Sequence, residues 1–327
     1  MEIKRFRITK PTHGEQDWLD IRFWDEQKRK RVSASAVAAI YGLHPFVPME
    51  KYAAELLGDI PPAPIPPTWA MTRGNDLEPL CIKWAIDRTG IEFFTPEEMF
   101  ACETDNGARM IATLDGFYEN GDDRKILEIK TMNREWSGVL PDYWRIQGIQ
   151  QAICADVSQV TWGVFDSSMS FFIHEQMISE GEKNEHIEAV GKWLASCDLG
   201  ITPEGVRWSY ETITTRYQRP TDTTIELPPD TLDLVAQLKQ VKKQVKELSV
   251  IEDQLKAELC DLIGQNEYAT VNGTMVATWK GKTWQSLDIK SLKALEPAIA
   301  DKYSKQVTNR TLLLKGERAW NQKTYSN

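Results

Sequence analysis

One short apolar run, Ile126–Thr131, broken only by Glu128 and Lys130, constrains this chain more than any other stretch. Its β-branched and apolar residues predict a strand, and side chains on a strand alternate between faces. Glu128 and Lys130 therefore share one face, while Ile129 points into a core. Thirteen residues before Glu128, the Leu114-Asp115-Gly116 step ends another apolar run, Met110–Leu114. Between them, Tyr118–Lys125 (YENGDDRK) reads as a turn rich in Asn, Gly and Asp. A hairpin over roughly 109–131 would bring Asp115 and Glu128 to one lysine at a strand end.

An acidic residue two before a lysine is common. Glu2/Lys4, Glu26/Lys28, Asp123/Lys125 and Asp288/Lys290 repeat it, none with an apolar strand and a preceding Asp-Gly turn at hairpin distance. The plain alternative for Glu128 and Lys130 is a surface salt bridge worth ~0–1 kcal/mol. The other reading is chemical. Two hard carboxylates suit Mg²⁺ or Mn²⁺, and a nearby ammonium can orient a water or stabilise charge on a scissile phosphate, as in a metal-dependent nuclease.

Further residues bear on that choice. Glu78 lies on a helix expected over Arg73–Thr89 and, with Asp115 and Glu128, would supply a third ligand for one or two ions. Gln147 and Gln151 are one turn apart on a helix expected over Tyr143–Ala155, where an uncharged amide can bind a water or a phosphate without competing for metal. Tyr143 shares that face. Arg22, with Ser35 as a helix N-cap, suggests a phosphate pocket, against the alternative of a salt bridge and an ordinary cap. The basic run Lys28-Arg29-Lys30-Arg31 lies beside them and reads as a DNA-contacting surface that includes Arg31.

The chain has 327 residues, 41% apolar, with 12 Trp, enough for a real core. No run approaches the roughly 18 apolar residues of a membrane span, and the N-terminus lacks a signal-peptide core, so a soluble, cytoplasmic protein is expected. Five scattered cysteines without C-x-x-C spacing argue for free thiols rather than disulfides or zinc. Net charge is −9, although residues 280–327 carry ten Lys/Arg against four Asp/Glu. Acidic bulk is compatible with a metal nuclease, because bound cations invert the local field.

Helices are expected over Glu15–Asp25, Ala36–Tyr41, Pro48–Leu57 and Glu182–Cys197, and strands over Val160–Phe165 and Met169–Gln176. Residues 1–205 thus form an α/β domain, a mixed sheet flanked by helices. Residues 206–228 read as a linker. The unit from 229 to 327 begins with a long amphipathic helix, Asp230–Gly264, read either as a coiled coil or as a helical hairpin kinked near Ser249. An Asn272-Gly273 hairpin follows. A helix over Ile289–Tyr303 and a strand over Thr311–Leu314 are expected after it.

The motif order resembles the lambda-type phage exonucleases, the YqaJ-like viral recombinases of the PD-(D/E)XK nuclease superfamily. The likeness covers about residues 15–200: Trp18-x-x-x-Arg22, Ser33-Ala34-Ser35, Gly74-x-x-x-Glu78, Leu114-Asp115-Gly116, Leu127-Glu128-Ile129-Lys130, and Pro141-x-Tyr143 leading to Gln147 and Gln151. The resemblance implies a restriction-endonuclease-like core. It implies Mg²⁺ (or Mn²⁺) held by Asp115, Glu128, the Ile129 carbonyl and Glu78, with Lys130 assisting the water and Gln147 supporting. It also implies a 5′-phosphate held by Arg22 and Ser35, 5′→3′ digestion of linear duplex DNA, a homotrimer and a single-strand annealing partner. The Arg22-to-Ser35 interval is longer than in lambda-like relatives, and residues beyond 200 match only loosely. An endonuclease or nickase on the same core, and a non-catalytic DNA-binding recombination factor, are the alternatives.

Overall fold

The computed structural model describes residues 2–12, 16–64, 66–221, 223–283, 285–304 and 311–314. The chain divides into two units, Met1–Tyr217 and Gln218–Asn327.

The first unit contains two four-stranded sheets. One has the order β1 (Ile3–Thr9), β3 (Glu98–Thr104), β4 (Arg109–Ala112), β2 (Val32–Ser33). The other runs β5 (Gly116–Asn120), β6 (Asp123–Thr131), β7 (Gln159–Phe165), β8 (Phe171–Met177). In the second sheet β6 and β7 are parallel, and both outer pairings are antiparallel. A parallel pair needs a crossover, which α4 (Asp142–Ala155) supplies. This is the mixed-sheet α/β architecture expected.

Apolar residues cover both faces of that sheet. On one, Ile126, Val160, Trp162 and Val164 pack with Ile149 and Ile153 of α4 and with Ile187 and Val190 of α5 (Glu180–Asp198). On the other, Leu127, Ile129, Phe165 and Phe171 pack with Cys81, Ile82 and Ala85 of α3 (Trp69–Thr89). The alternation of β6 thus divides its apolar residues between two cores and turns Glu128 toward α4. Gly163 is required where it stands, since a Cβ there would lie 2.6 Å from Ile129 Cδ1.

Several expectations change. The hairpin is narrower than 109–131: β4 pairs with β3 and β2, and the chain leaves that sheet at Asp115 to begin β5. Most of Tyr118–Lys125 is strand, closing tightly around Gly121 at φ +62°. The turn expected across this whole stretch is confined to Gly121 and Asp122. Strand β1 carries charged residues between its apolar ones, and neither it nor β3 was anticipated. The helix expected over Ala36–Tyr41 is a 3₁₀ turn, Val37–Tyr41, whose N-cap is Ala36 rather than Ser35. Helix α1 covers Gln16–Phe23, and Glu15 lies outside the described residues. Part of the supposed linker folds as α6 (Tyr210–Arg216), tied by an Arg216–Asp59 ion pair at 2.7 Å just beyond α2 (Met49–Leu57). Cys81, Cys102, Cys154 and Cys197 are buried free thiols.

A buried network joins the layers. Gln150 Nε2 donates to the Val32 and Ile111 carbonyls at 2.9 and 3.1 Å, and its Oε1 lies 3.2 Å from His186 Nε2. The Tyr41 hydroxyl lies 3.0 Å from His186 Nδ1. A neutral His186 protonated on Nε2 satisfies every partner, and burial lowers its pKa from 6.5 to about 3. Below pH 6.5 the unfolded chain therefore binds a proton that the folded chain refuses. Stability should fall as pH drops from 6.5 toward 3, by at most about 1.4 kcal/mol per pH unit. His186→Gln is expected to remove this loss, measured as the difference in urea midpoint between pH 7.5 and pH 5. An unchanged difference would refute it.

In the second unit, α7 runs unbroken over Thr231–Ile263, with no kink near Ser249. Strands β9 (Tyr268–Val271) and β10 (Thr274–Thr278) form a hairpin with positive φ at Asn272 and Gly273, as an Asn-Gly turn requires. The helix expected over Ile289–Tyr303 is two helices, α8 (Ile289–Leu295) and α9 (Pro297–Lys302), because Pro297 lacks the amide a continuous helix needs. Thr311–Leu314 forms no strand among the described residues.

Candidate active site

Glu128 is 4% exposed, which excludes the surface salt bridge. A buried carboxylate needs several donors, and three supply them. Lys130 Nζ and Gln147 Nε2 each donate to Oε1 at 2.6 Å, and Gln151 Nε2 donates to Oε2 at 2.6 Å. The one-turn spacing of the two glutamines on α4 places both amides on this carboxylate. Lys130 also donates to Gln147 Oε1 at 3.3 Å. Its ammonium lies 6.0 and 5.8 Å from the ring centroids of Trp144 and Trp162, which stack nearly parallel. Two indoles, an amide and a carboxylate therefore fix one cation.

Asp115 sits at the crossing between the sheets, where its Oδ2 accepts from the Ile129 amide at 2.8 Å. Burial first, and then the charges of Glu128 and Glu78, push its carboxyl well above the usual range. Glu78 on α3 is raised for the same two reasons, burial and the charge of Glu128. Burial draws Lys130 down, but Glu128 and Asp115 more than offset this and its pKa stays raised. Three mutually repelling carboxylates thus face one paired ammonium.

That surplus of hard negative oxygen in a desolvated place suits a divalent cation in donor chemistry. Among the described residues, however, no three His, Cys, Asp or Glu side chains are already drawn together as a ligand set. Both Glu128 oxygens are taken by amide and ammonium donors.

Residues 23–158 match the model of the YqaJ-like viral recombinase domain. This segment, less than half of the chain, is similar to that domain. The matched segment includes Glu78, Asp115, Glu128, Lys130, Gln147 and Gln151. No curated protein matches the chain. Among solved structures, the alkaline exonuclease LHK-Exo from Laribacter hongkongensis is 21% identical, covering 57% of this chain and 93% of that one, with a TM-score of 0.44. The same enzyme in complex with dAMP gives 20% identity, the same coverage and a TM-score of 0.45. A phage-related exonuclease from Haemophilus somnus 129PT is 13% identical, covering 52% of this chain and 95% of that one, at a TM-score of 0.36. These are partial likenesses of shape and carry no activity across.

The remaining expected residues fall into two groups. Arg22 Nη2 donates to Ser33 Oγ at 3.2 Å and to Ser35 Oγ, and its guanidinium lies 6.0 Å from the Trp18 ring centroid. It belongs to no ion pair among the described residues, and burial lowers its pKa despite Tyr52 and Glu55 nearby. Tyr143 is half-buried beside Trp144.

Two assignments to DNA contact change. Gln151 is fully buried, donating to Glu128 and the Thr113 carbonyl, so it positions Glu128 instead of facing a ligand. Arg31 is 4% exposed and donates to the Ile21 carbonyl. Its neighbours are tied too: Arg29 pairs with Asp25 and Glu103, and Lys30 donates to the Cys197 carbonyl. Within the run Arg31 is buried, Lys30 is partly buried, and Lys28 and Arg29 remain exposed. Trp144, Trp162 and Lys10, whose charge reaches Glu78, were not anticipated. Trp144 lay within reach of the sequence, three residues before Gln147 on the same helix.

Proposed function

We propose that the recombinase domain is a Mg²⁺-dependent 5′→3′ exonuclease of linear duplex DNA, leaving 3′ single-stranded tails for recombination. The observation that supports it most is the buried Glu128 carboxylate held by Lys130, Gln147 and Gln151, with Asp115 bonded to the adjoining Ile129 amide. Asp115, Glu128, Glu78 and the Ile129 carbonyl would hold the ion. Bound there, it supplies Lewis-acid polarisation of a phosphodiester and a more acidic water. Lys130 places positive charge where the scissile phosphate gains negative charge, and Gln147 and Gln151 keep Glu128 oriented. A single-strand annealing partner and a homotrimer belong to the same proposal through the family resemblance. Residues 1–205 serve as the nuclease domain and 229–327 as an accessory unit.

Arg22, bonded to the Ser33 and Ser35 hydroxyls and in no ion pair among the described residues, is suited to the 5′-phosphate of the digested strand. Arg22→Ala should abolish the preference for 5′-phosphorylated over 5′-hydroxyl ends, lowering the rate on phosphorylated ends about tenfold to a hundredfold. The measurement is nucleotide release from matched linear duplexes with each end, with covalently closed circles alongside. A preference that survives in Arg22→Ala would overturn this role. Rapid cutting of closed circles would replace the exonuclease by an endonuclease.

A further inference from the structure

The two hydroxyls that hold Arg22 stand on and just beyond the shortest strand of the first unit. Strand β2 is Val32 and Ser33 alone, at the edge of its sheet, with β4 as its strand neighbour. A pairing that short resists fraying weakly by itself. Yet Ser33 Oγ must stay 3.2 Å from Arg22 Nη2, and Ser35 follows two residues on.

Helix α4 supplies the support. Gln150 is fully buried, and its one amide nitrogen donates to the carbonyls of Val32 in β2 and Ile111 in β4. The Ile111 carbonyl also accepts at 2.8 Å from the amide of Ala34, which lies between the two serines. On its oxygen side Gln150 meets His186, and His186 meets the Tyr41 hydroxyl. Tyr41 ends the 3₁₀ turn that follows Ser35. One glutamine therefore grips the Ser33–Ser35 segment at both ends, directly at Val32 and through His186 at Tyr41. Its neighbours Gln147 and Gln151 serve Glu128 instead. We infer that Gln150 is a positioning residue for recognition of the DNA end, setting where Ser33 and Ser35 hold Arg22. This rests on the 5′-phosphate role proposed for Arg22. With both amide hydrogens donated and its oxygen beside His186, Gln150 acts through the serines and not on DNA.

The test is the ratio of kcat/KM on 5′-phosphorylated and 5′-hydroxyl linear duplexes with Mg²⁺, measured on the full chain. Gln150→Met keeps the volume and removes every bond. The ratio should fall about tenfold, the scale of loss when a binding group is displaced slightly. In an Arg22→Ala background the same change should slow phosphorylated ends no more than hydroxyl ends. Val190→Ala, a packing change in the same core, should keep the wild-type ratio whatever it does to the urea midpoint. Tyr41→Phe deletes only the outermost hydroxyl and should lower the ratio about threefold.

A folded Gln150→Met with the wild-type ratio would overturn the inference, as would an equal loss of rate on both ends. If Gln150→Met does not fold, an unchanged ratio in Tyr41→Phe overturns it. A wild type without any preference refutes the Arg22 role and this inference together. A preference lost in Arg22→Ala but kept in Gln150→Met refutes the inference alone.

Discussion

Glu128→Gln is expected to lower DNA hydrolysis by about a thousandfold or more while leaving a folded protein. The substitution keeps the shape and removes one negative charge. The carboxylate it replaces is buried, takes three donors and repels both Asp115 and Glu78. Stability should move far less than activity, because two effects oppose each other. The lost pairing with Lys130 destabilises, and the relief of crowding on Asp115 and Glu78 stabilises. Steady-state nucleotide release and a urea titration on the same preparation separate the two. Wild-type rates in this variant would remove Glu128 from the chemistry.

Lys130→Met is expected to change both properties. Methionine retains much of the stem beside Trp144 and Trp162 but leaves Glu128, Asp115 and Glu78 without the ammonium. Breaking a buried pair on one side costs about 3–5 kcal/mol. The lysine is 21% exposed, so the lower end applies, together with a rate loss of about a hundredfold or more. The pH dependence has a definite sign. Asp115 and Glu78 have folded pKa values above 3.8 and 4.5, so the folded state binds protons first. Their crowding is relieved as pH falls through the folded values and is fully gone below the unfolded ones. The stability deficit of Lys130→Met should therefore shrink in acid and also shrink when Mg²⁺ is added at neutral pH. A deficit unchanged by either would mean that Lys130 contributes packing alone.

Much of the site was legible because it follows from local periodicities. The two-residue alternation of β6 put Glu128 and Lys130 on one face and Ile129 in the core, and the four-residue step of α4 put Gln147 and Gln151 together. What periodicity cannot give is the environment on that face. Nothing near Gln151 in the sequence shows that its amide is consumed by Glu128 and the Thr113 carbonyl. Nor does anything near Arg31 show that its side chain is buried or that Arg29 and Lys30 are tied down, since their partners Glu103 and Cys197 are distant in the chain. The β4–β5 break was missed for a related reason. Met110–Leu114 is apolar enough to be a strand, but which strands it pairs with depends on β3 and β2, not on its own pattern.

The most direct measurement is mononucleotide release from a 5′-phosphorylated linear duplex, with Mg²⁺ and with excess chelator, for the wild type and Glu128→Gln. Release is predicted only for the wild type with Mg²⁺, with the 3′-ended strand left intact. Release that persists in chelator, or binding of the duplex without any release in Mg²⁺, would contradict a metal-dependent phosphodiesterase site at Asp115, Glu128 and Lys130.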